Sequence, residues 1–352
     1  MAKHQVAIVG CGPRGACHAR AFLANADRFE LAALCDINAQ RLEALASTLG
    51  VRRTYADAEQ MLAAEKPDVF CFATLPAIRL PLIELGIKHG VKAIAYEKPM
   101  ATDLAEARRM RDACREAGVK TVVSHQQKYG PHWRKVKEIV EGGEIGQPHT
   151  IHATSKAWLL QLGTHLVDYV MWFNESSRGV WAIGQTHGKH KLSDSHPSPD
   201  YVFGQILFEN GVRCILECGS LAPDTPETDK FWHKDAVTIH GSHGYARVVT
   251  GGGWKAVTKS CGGQILSGPG VFNPEEEQPL YIRELGDWLD DPGKVHCCNG
   301  EIAYHGFELV MALCLSSLER RKIDLPLEPL PSEPILERLR ESLPDVPYEG
   351  ER

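Results

Sequence analysis

Apolar residues along this chain fall into two arrangements. Gln5-Val-Ala-Ile-Val9, Phe29 to Cys35, Asp68 to Ala73, Val91 to Tyr96 and Lys120 to Ser124 are short, compact runs, the mark of strands buried on both faces. Between them, apolar residues recur at helical spacing. Ala16 to Leu23 is alanine-rich. Ala39 to Leu49 puts Leu42, Leu45 and Leu49 on one face and closes on Gly50. Asp57 and Gln60 resemble a capping box before Met61 to Ala64. Pro81 to His89 stops at Gly90, and Thr102 caps a helix that runs to about Ala117. Strands alternating with helices over short links predict an α/β fold, a doubly wound parallel sheet.

The pattern changes further on. His132 to Val140 reads as a helix and His149 to Thr154 as a strand. Leu166, Val167, Val170 and Met171 form one apolar face of a helix that starts near Gly163-Thr164-His165. Asp200 to Phe208 and Val212 to Cys218 flank Glu209-Asn210-Gly211, a hairpin with an Asn-Gly turn. Val237 to His240 and Tyr245 to Val249 form another pair around Gly241–Gly244. Gly251–Gly253 and Cys261–Gly270 read as loops, and Glu301 to Leu318 as a long helix. The division predicted is 1–124, a dinucleotide-binding domain; 125–330, a second α/β domain; and 331–352, a proline- and charge-rich surface tail. There are no internal repeats.

The chemistry begins in the first 36 residues: strand, Gly10-Cys-Gly12-Pro13-Arg14-Gly15, helix, strand, Asp36. That is the layout of a dinucleotide-binding βαβ unit. Gly10 permits a sharp turn, Gly12 leaves the backbone open to a pyrophosphate, and Gly15 lets the helix pack close. The helix start offers free N–H groups to phosphate. Asp36 stands where a carboxylate accepts ribose hydroxyls and repels a 2′-phosphate, so NAD is favoured over NADP, a preference that Arg41 slightly weakens. Gly10, Gly12, Pro13, Arg14, Gly15 and Asp36 are cofactor-binding candidates. Thr74-Leu75-Pro76 and Glu97-Lys98-Pro99 join them, because both follow parallel strands at the carboxyl edge where nucleotides bind. Lys98 admits two readings, a solvated lysine or an ammonium held in that crevice to donate to substrate and relay a proton.

Charge and composition narrow the partners. A net charge of −6 carries no basic bias and argues against nucleic acid. No stretch approaches the roughly 20 apolar residues of a membrane helix. The first strand follows Met1-Ala-Lys-His4 at once, leaving no room for a signal peptide, and eleven scattered cysteines read as free thiols of a reducing cytoplasm. Cys297-Cys298 reads as a surface pair. His187, His190 and His196 share a polar loop with Asp194; without a fixed spacing they read as a solvated loop rather than a metal site.

Residues 6–15 with Cys35-Asp36 and Glu97-Lys98-Pro99 resemble the Gfo/Idh/MocA oxidoreductases. The likeness extends through Gly142–Gly146, Trp158–Phe173 and Ile323–Leu327. It implies an N-terminal Rossmann domain and a C-terminal α/β domain on an open, mostly antiparallel sheet, through which such proteins assemble as dimers or tetramers. It implies an NAD-dependent dehydrogenase acting on CH–OH groups of a sugar, cyclitol or related polyol. His165 falls at the family's catalytic histidine; spacing alone reads it as a helix-capping residue. Asp168, three positions on, meets His165 on one face. Lys128-Tyr129 replaces the family's Arg-Phe, which keeps the charge and loses the bidentate fork. Gln161 stands where many members carry aspartate. Trp158, Gln161, Tyr129, Lys128 and Asp168 are substrate-contact candidates. Two other functions are carried by the resemblance: a glycoside-cleaving enzyme that oxidises a sugar transiently, suggested by the Gly-Pro-Arg-Gly turn, and a non-catalytic NAD-binding regulator.

Overall fold

In a computed structural model that describes residues 3–346, the chain forms two compact units, and neither is a continuous stretch of sequence. The first takes residues up to Ala101, Glu106–Tyr129 and Asn273–Ala303. The second takes Thr102–Ala105, Gly130–Phe272 and the residues from Tyr304 on. The linear division at 124/125 and 330/331 thus has a non-linear counterpart in the contacts.

The first unit is built on six strands: β1 (His4–Val9), β2 (Phe29–Cys35), β3 (Arg53–Tyr55), β4 (Val69–Phe72), β5 (Ala93–Glu97) and β6 (Lys120–Ser124). All pair in parallel, in the order β3-β2-β1-β4-β5-β6. The order reverses between β1 and β4, and such a switch point opens a crevice beyond the strand ends. The predicted helices are present as Pro13–Ala24, Ala39–Leu49, Ala58–Glu65, Arg79–Lys88 and Leu104–Glu116. Asp57 caps as expected, its side chain accepting from the Gln60 amide, and Gly50 ends its helix at φ +69°. At the helix Leu104–Glu116 the capping contact is made by Asp103, which accepts from the Ala105 amide, where the sequence pointed to Thr102. A helix the pattern did not disclose, Pro274–Asp290, packs Tyr281, Ile282 and Leu285 into one core with Phe22, Phe29 and Val122. Its polar first turn and internal Pro279 hide that periodicity.

The second unit carries nine strands: β7 (Pro148–Ser155), β8 (Gly179–His187), β9 (Tyr201–Phe208), β10 (Arg213–Gly219), β11 (Ala236–Gly241), β12 (Gly244–Val249), β13 (Gly253–Val257), β14 (Leu266–Gly268) and β15 (Ile323–Asp324). Their order is β14-β13-β12-β11-β7-β10-β9-β8-β15; β7 and β10 run parallel and every other pair antiparallel. Both hairpins are present. Parts of the two segments read as loops are instead β13 and β14, where glycines dilute short strands. Alternation is strict on β9: Val202, Ile206 and Phe208 are buried, whereas Phe203 is 40% exposed on the other face. Ile335–Ser342, within the expected surface tail, is a helix that buries Ile335, Leu336 and Leu339. Among the described residues, no helix is long and apolar enough to cross a membrane.

Candidate active site

In the first unit the site grows from the turn after β1. Gly10 has φ +94°, and a Cβ there would meet the Ala73 carbonyl oxygen at 2.5 Å. A Cβ on Gly15 would lie 1.7 Å from the Gly10 oxygen, so this contact fixes how closely the helix approaches the strand. A Cβ on Gly12 would meet nothing within 4 Å. The first two glycines are demanded by the fold; the third keeps one side of the turn open, as a ligand's phosphates require.

Asp36 ends β2 and reaches back to this turn. The Cys11 amide donates to Oδ2 at 2.6 Å and the Asn38 amide to Oδ1 at 2.7 Å. Each oxygen keeps a further lone pair for a ligand hydroxyl. Asp36 therefore braces the glycine turn from the end of β2.

Glu97, at the end of β5, is buried. Its Oε1 accepts from Arg14 Nε at 2.8 Å and lies 2.9 Å from His18 Nε2. Gln278 closes the network, 3.1 Å from Arg14 Nη2 and 3.2 Å from His18 Nδ1. Burial opposes ionisation of Glu97, but the Arg14 charge, the His18 bond and the Lys98 charge hold its carboxyl well below the usual range. The arginine of the Gly-Pro-Arg-Gly turn is thus accounted for by the fold. Fully buried Arg79 ties the other two edge segments together: Nη2 donates to the Thr74 carbonyl at 2.8 Å and to the Lys98 carbonyl at 3.2 Å, and Nη1 donates to the Pro99 carbonyl. Burial pushes its pKa down to about 10. The Lys98–Pro99 bond is cis. Leu75 is exposed and Pro76 buried.

Lys128 and Tyr129 are both buried and engage protein groups. Lys128 Nζ donates to the Cys297 carbonyl at 3.4 Å, and the Tyr129 hydroxyl donates to the Glu284 carboxylate. The Cys297-Cys298 pair beside them is not a surface pair: Cys298 is 0% exposed and Cys297 only partly so. Hydrophobic cover from the Pro274–Asp290 helix, unseen in the sequence, explains the difference.

In the second unit, a π-turn, Leu159–Gly163, runs into the helix Thr164–Phe173. Such turns widen the helical repeat and re-aim side chains, often at functional sites. His165 is buried, with Nδ1 2.7 Å from the Tyr169 hydroxyl. The spacing pointed to Asp168 as the orienting group; Tyr169, one position further along the same face, also reaches the ring at Nδ1. When Nδ1–H donates to that oxygen, Nε2 carries the basic lone pair. Asp168 is buried on the same helix. Trp158 precedes the π-turn and lies under Lys191, whose Nζ is 4.0 Å from the ring centroid. The Gln161 amide donates to the Trp158 carbonyl. Ser198 Oγ accepts from the Leu160 amide at 2.9 Å and pins the end of the His187–Ser198 segment to this turn. Just beyond that segment Asp200 accepts from the His190 and Lys191 amides, and within it His196 Nδ1 lies 3.1 Å from Ser195 Oγ.

Sequence reasoning missed Arg79, His18, Gln278 and Tyr169. Tyr169 had a signal, the i,i+4 spacing from His165. Gln278 had none, since 260 positions separate it from His18.

Residues 4–125 match the family model described as the oxidoreductase family with an NAD-binding Rossmann fold, and residues 155–247 match the GFO/IDH/MocA C-terminal domain. A D-apiose dehydrogenase of Paraburkholderia graminis is 38% identical over 260 residues, 69% of this chain and 66% of the relative. A myo-inositol 2-dehydrogenase of Thermotoga maritima is 27% identical over 152 residues, 43% of this chain and 45% of the relative. The chain thus spans between about half and two thirds of the length of these curated relatives. A crystal structure of an oxidoreductase from Agrobacterium radiobacter with NAD+, L-tartaric acid and magnesium superposes with a TM-score of 0.77 at 19% identity, covering 92% of this chain and 98% of the other. At that identity the likeness establishes the fold.

Proposed function

The chain belongs to the Gfo/Idh/MocA oxidoreductase family, and from that premise we propose that it is an NAD-dependent dehydrogenase of a sugar, cyclitol or related polyol. The observation that carries this reading is the turn after β1, with an open Gly12 and an Asp36 carboxylate hydrogen-bonded to the Cys11 amide. Gly10, Gly12, Pro13 and Gly15, with the backbone of Arg14, would hold the pyrophosphate. Asp36 would take the ribose hydroxyls, with Thr74, Leu75, Pro76 and Glu97 along the crevice edge. NAD, when bound, supplies the hydride acceptor. Lys98 holds the substrate oxygen. His165, with Tyr169 on Nδ1, takes the hydroxyl proton at Nε2. Trp158, Gln161 and Asp168 contact substrate in this reading, while Lys128 and Tyr129 support the site from within the first unit.

The test is a screen of D-apiose, inositols and common sugars for NADH formation by the purified chain. Stoichiometric NADH supports the reading. Glycoside cleavage without net NADH would replace it with transient oxidation and elimination. Turnover of nothing, with NAD bound, would leave a binding protein.

Asp36→Ala should raise the KM for NAD and relax discrimination against NADP, because it removes the hydroxyl acceptor and the repulsion of a 2′-phosphate together. Unchanged Michaelis constants for both cofactors would refute the assignment.

The outer face of the second sheet supports a homo-oligomer. Ile183 and Phe203 are 43% and 40% exposed there, and Trp181, Leu207 and Ile215 follow the same alternation. Two copies pairing through this face would cover it. Phe203→Lys should then convert the assembly to a smaller species in analytical ultracentrifugation; an unchanged sedimentation coefficient would remove the face from the interface. We place the enzyme's work in the cytoplasm, where the eleven cysteines, all free thiols in the fold, remain reduced.

A further inference from the structure

We propose that Cys297 and Cys298 are a peroxide-reactive dithiol, with Cys297 as the attacking sulfur and Cys298 as the resolving one. The proposal is independent of the dehydrogenase reading.

The pair sits between the helices Pro274–Asp290 and Gly300–Glu319, and the side-chain donor atoms of His296, Cys297 and Cys298 lie within 4.8 Å of one another. Such a trio suggests a metal, but the imidazole argues otherwise. Its Nδ1 accepts from the Cys298 amide at 2.9 Å and its Nε2 lies 2.9 Å from the Tyr281 carbonyl oxygen. Both ring nitrogens serve the fold; the Cys298 thiol donates to the His125 carbonyl at 3.8 Å and still lies within 4.8 Å of Cys297 Sγ.

The surroundings differentiate the sulfurs. Cys297 is partly exposed and Cys298 wholly buried. The Tyr129 hydroxyl lies 3.2 Å from Cys297 Sγ, and the buried Lys128 ammonium is held on the Cys297 carbonyl. Hydrogen bonding from Cys298 and the Lys128 charge favour the Cys297 thiolate against burial and the Glu284 carboxylate, and its pKa lies below the ordinary thiol value. Burial raises the pKa of Cys11, Cys17, Cys35, Cys71, Cys114, Cys214, Cys218 and Cys314. Cys261 is also lowered, but it has no cysteine beside it in the chain to resolve an oxidised sulfur.

The chemistry balances with hydrogen peroxide as oxidant. The Cys297 thiolate attacks one peroxide oxygen, the O–O bond breaks, and a sulfenic acid and hydroxide form. The Cys298 sulfur then attacks the sulfenic sulfur, and the S–O bond breaks as the S–S bond forms. The proton from the Cys298 thiol ends on water. Two thiols lose two electrons and two protons, and one peroxide becomes two waters.

The test treats the reduced full chain with one equivalent of hydrogen peroxide and maps its peptides without reduction. The peptide starting at Val295 should become lighter by two hydrogens, with fragmentation placing the loss at 297–298 rather than Cys314, and dithiothreitol should restore it. In Cys298→Ser, dimedone should label Cys297; in Cys297→Ser, it should leave Cys298 unlabelled. Oxidation of Cys261 while 297–298 remains a dithiol would overturn the proposal, as would labelling of Cys298 in Cys297→Ser. If either variant fails to fold, the wild-type peptide mass decides.

Discussion

Lys98→Met and His165→Ala should each lower kcat by about 10²–10⁴-fold, the scale of a positioned acid or base, with NAD binding retained. The two substitutions test different halves of the mechanism. The backbone of Lys98 is fixed from behind, because Arg79 holds the carbonyls of Thr74, Lys98 and Pro99. Methionine there keeps the length of the side chain and removes only the ammonium. His165 is fixed through Nδ1 by Tyr169. Loss of the imidazole removes the proton acceptor, whereas Tyr169→Phe would remove one hydrogen bond to the ring and keep the ring itself, and should cost less. Fluorescence titration with NADH separates binding from turnover. A His165→Ala variant that folds but no longer binds NADH would move that residue out of the proton-transfer role. Full activity in Lys98→Met would return Lys98 to the solvated reading.

Glu277→Gln should stabilise the protein by about 3–5 kcal/mol at neutral to alkaline pH, since a tenfold change in an acid's ionisation constant is worth roughly 1.4 kcal/mol, and by almost nothing near pH 4. Glu277 is 1% exposed, and burial pushes its pKa up to about 8 against the opposing Asn273 amide and Arg14 charge, with the Glu276 charge raising it further. Oε1 accepts from the Asn273 amide at 3.1 Å; Oε2 has no hydrogen-bond partner among the described residues. The sign follows from linkage. Below about pH 4.5 the carboxyl is protonated both folded and unfolded, and folding suffers no penalty. As the pH rises from there toward 8, the unfolded chain ionises first and gains, so stability falls through this window and levels off above it. Glutamine keeps the Oε1 bond and cannot ionise. Urea denaturation of both proteins at pH 5, 7 and 9 should show a gap that widens with pH. A constant gap, or destabilisation at pH 9, would mean that Glu277 is ionised in the native state.

The first unit was legible because its signals are local. Strand, glycine turn, helix and acid lie within 36 residues, and each glycine answers a steric demand that can be stated from spacing alone. The second unit was less so. An Asn-Gly turn announces the β9–β10 hairpin, but β13 and β14 are short and interleaved with glycines, and β15 has two residues. The site shows the same contrast. Asp36 and Lys98 stand at strand ends that the pattern fixes. Gln278, which completes the Glu97 network, comes from a helix more than a hundred residues beyond the rest of it. The Cys297-Cys298 pair looked exposed because nothing in its neighbourhood reveals the helix that covers it.

That same helix bears on how the protein is made. Tyr281, Ile282 and Leu285 share one core with Phe22, Phe29 and Leu34, so strands synthesised first wait for a segment emerging after most of the chain. During translation the apolar face that Phe22 and Phe29 present stays uncovered until the ribosome has passed residue 290. A nascent chain is thus exposed to chaperones and to misassociation for most of its synthesis. A clone cut after Tyr129 would keep every strand of the parallel sheet and still lack a wall of its core; it should express as an aggregation-prone fragment unless residues 273–303 are supplied with it.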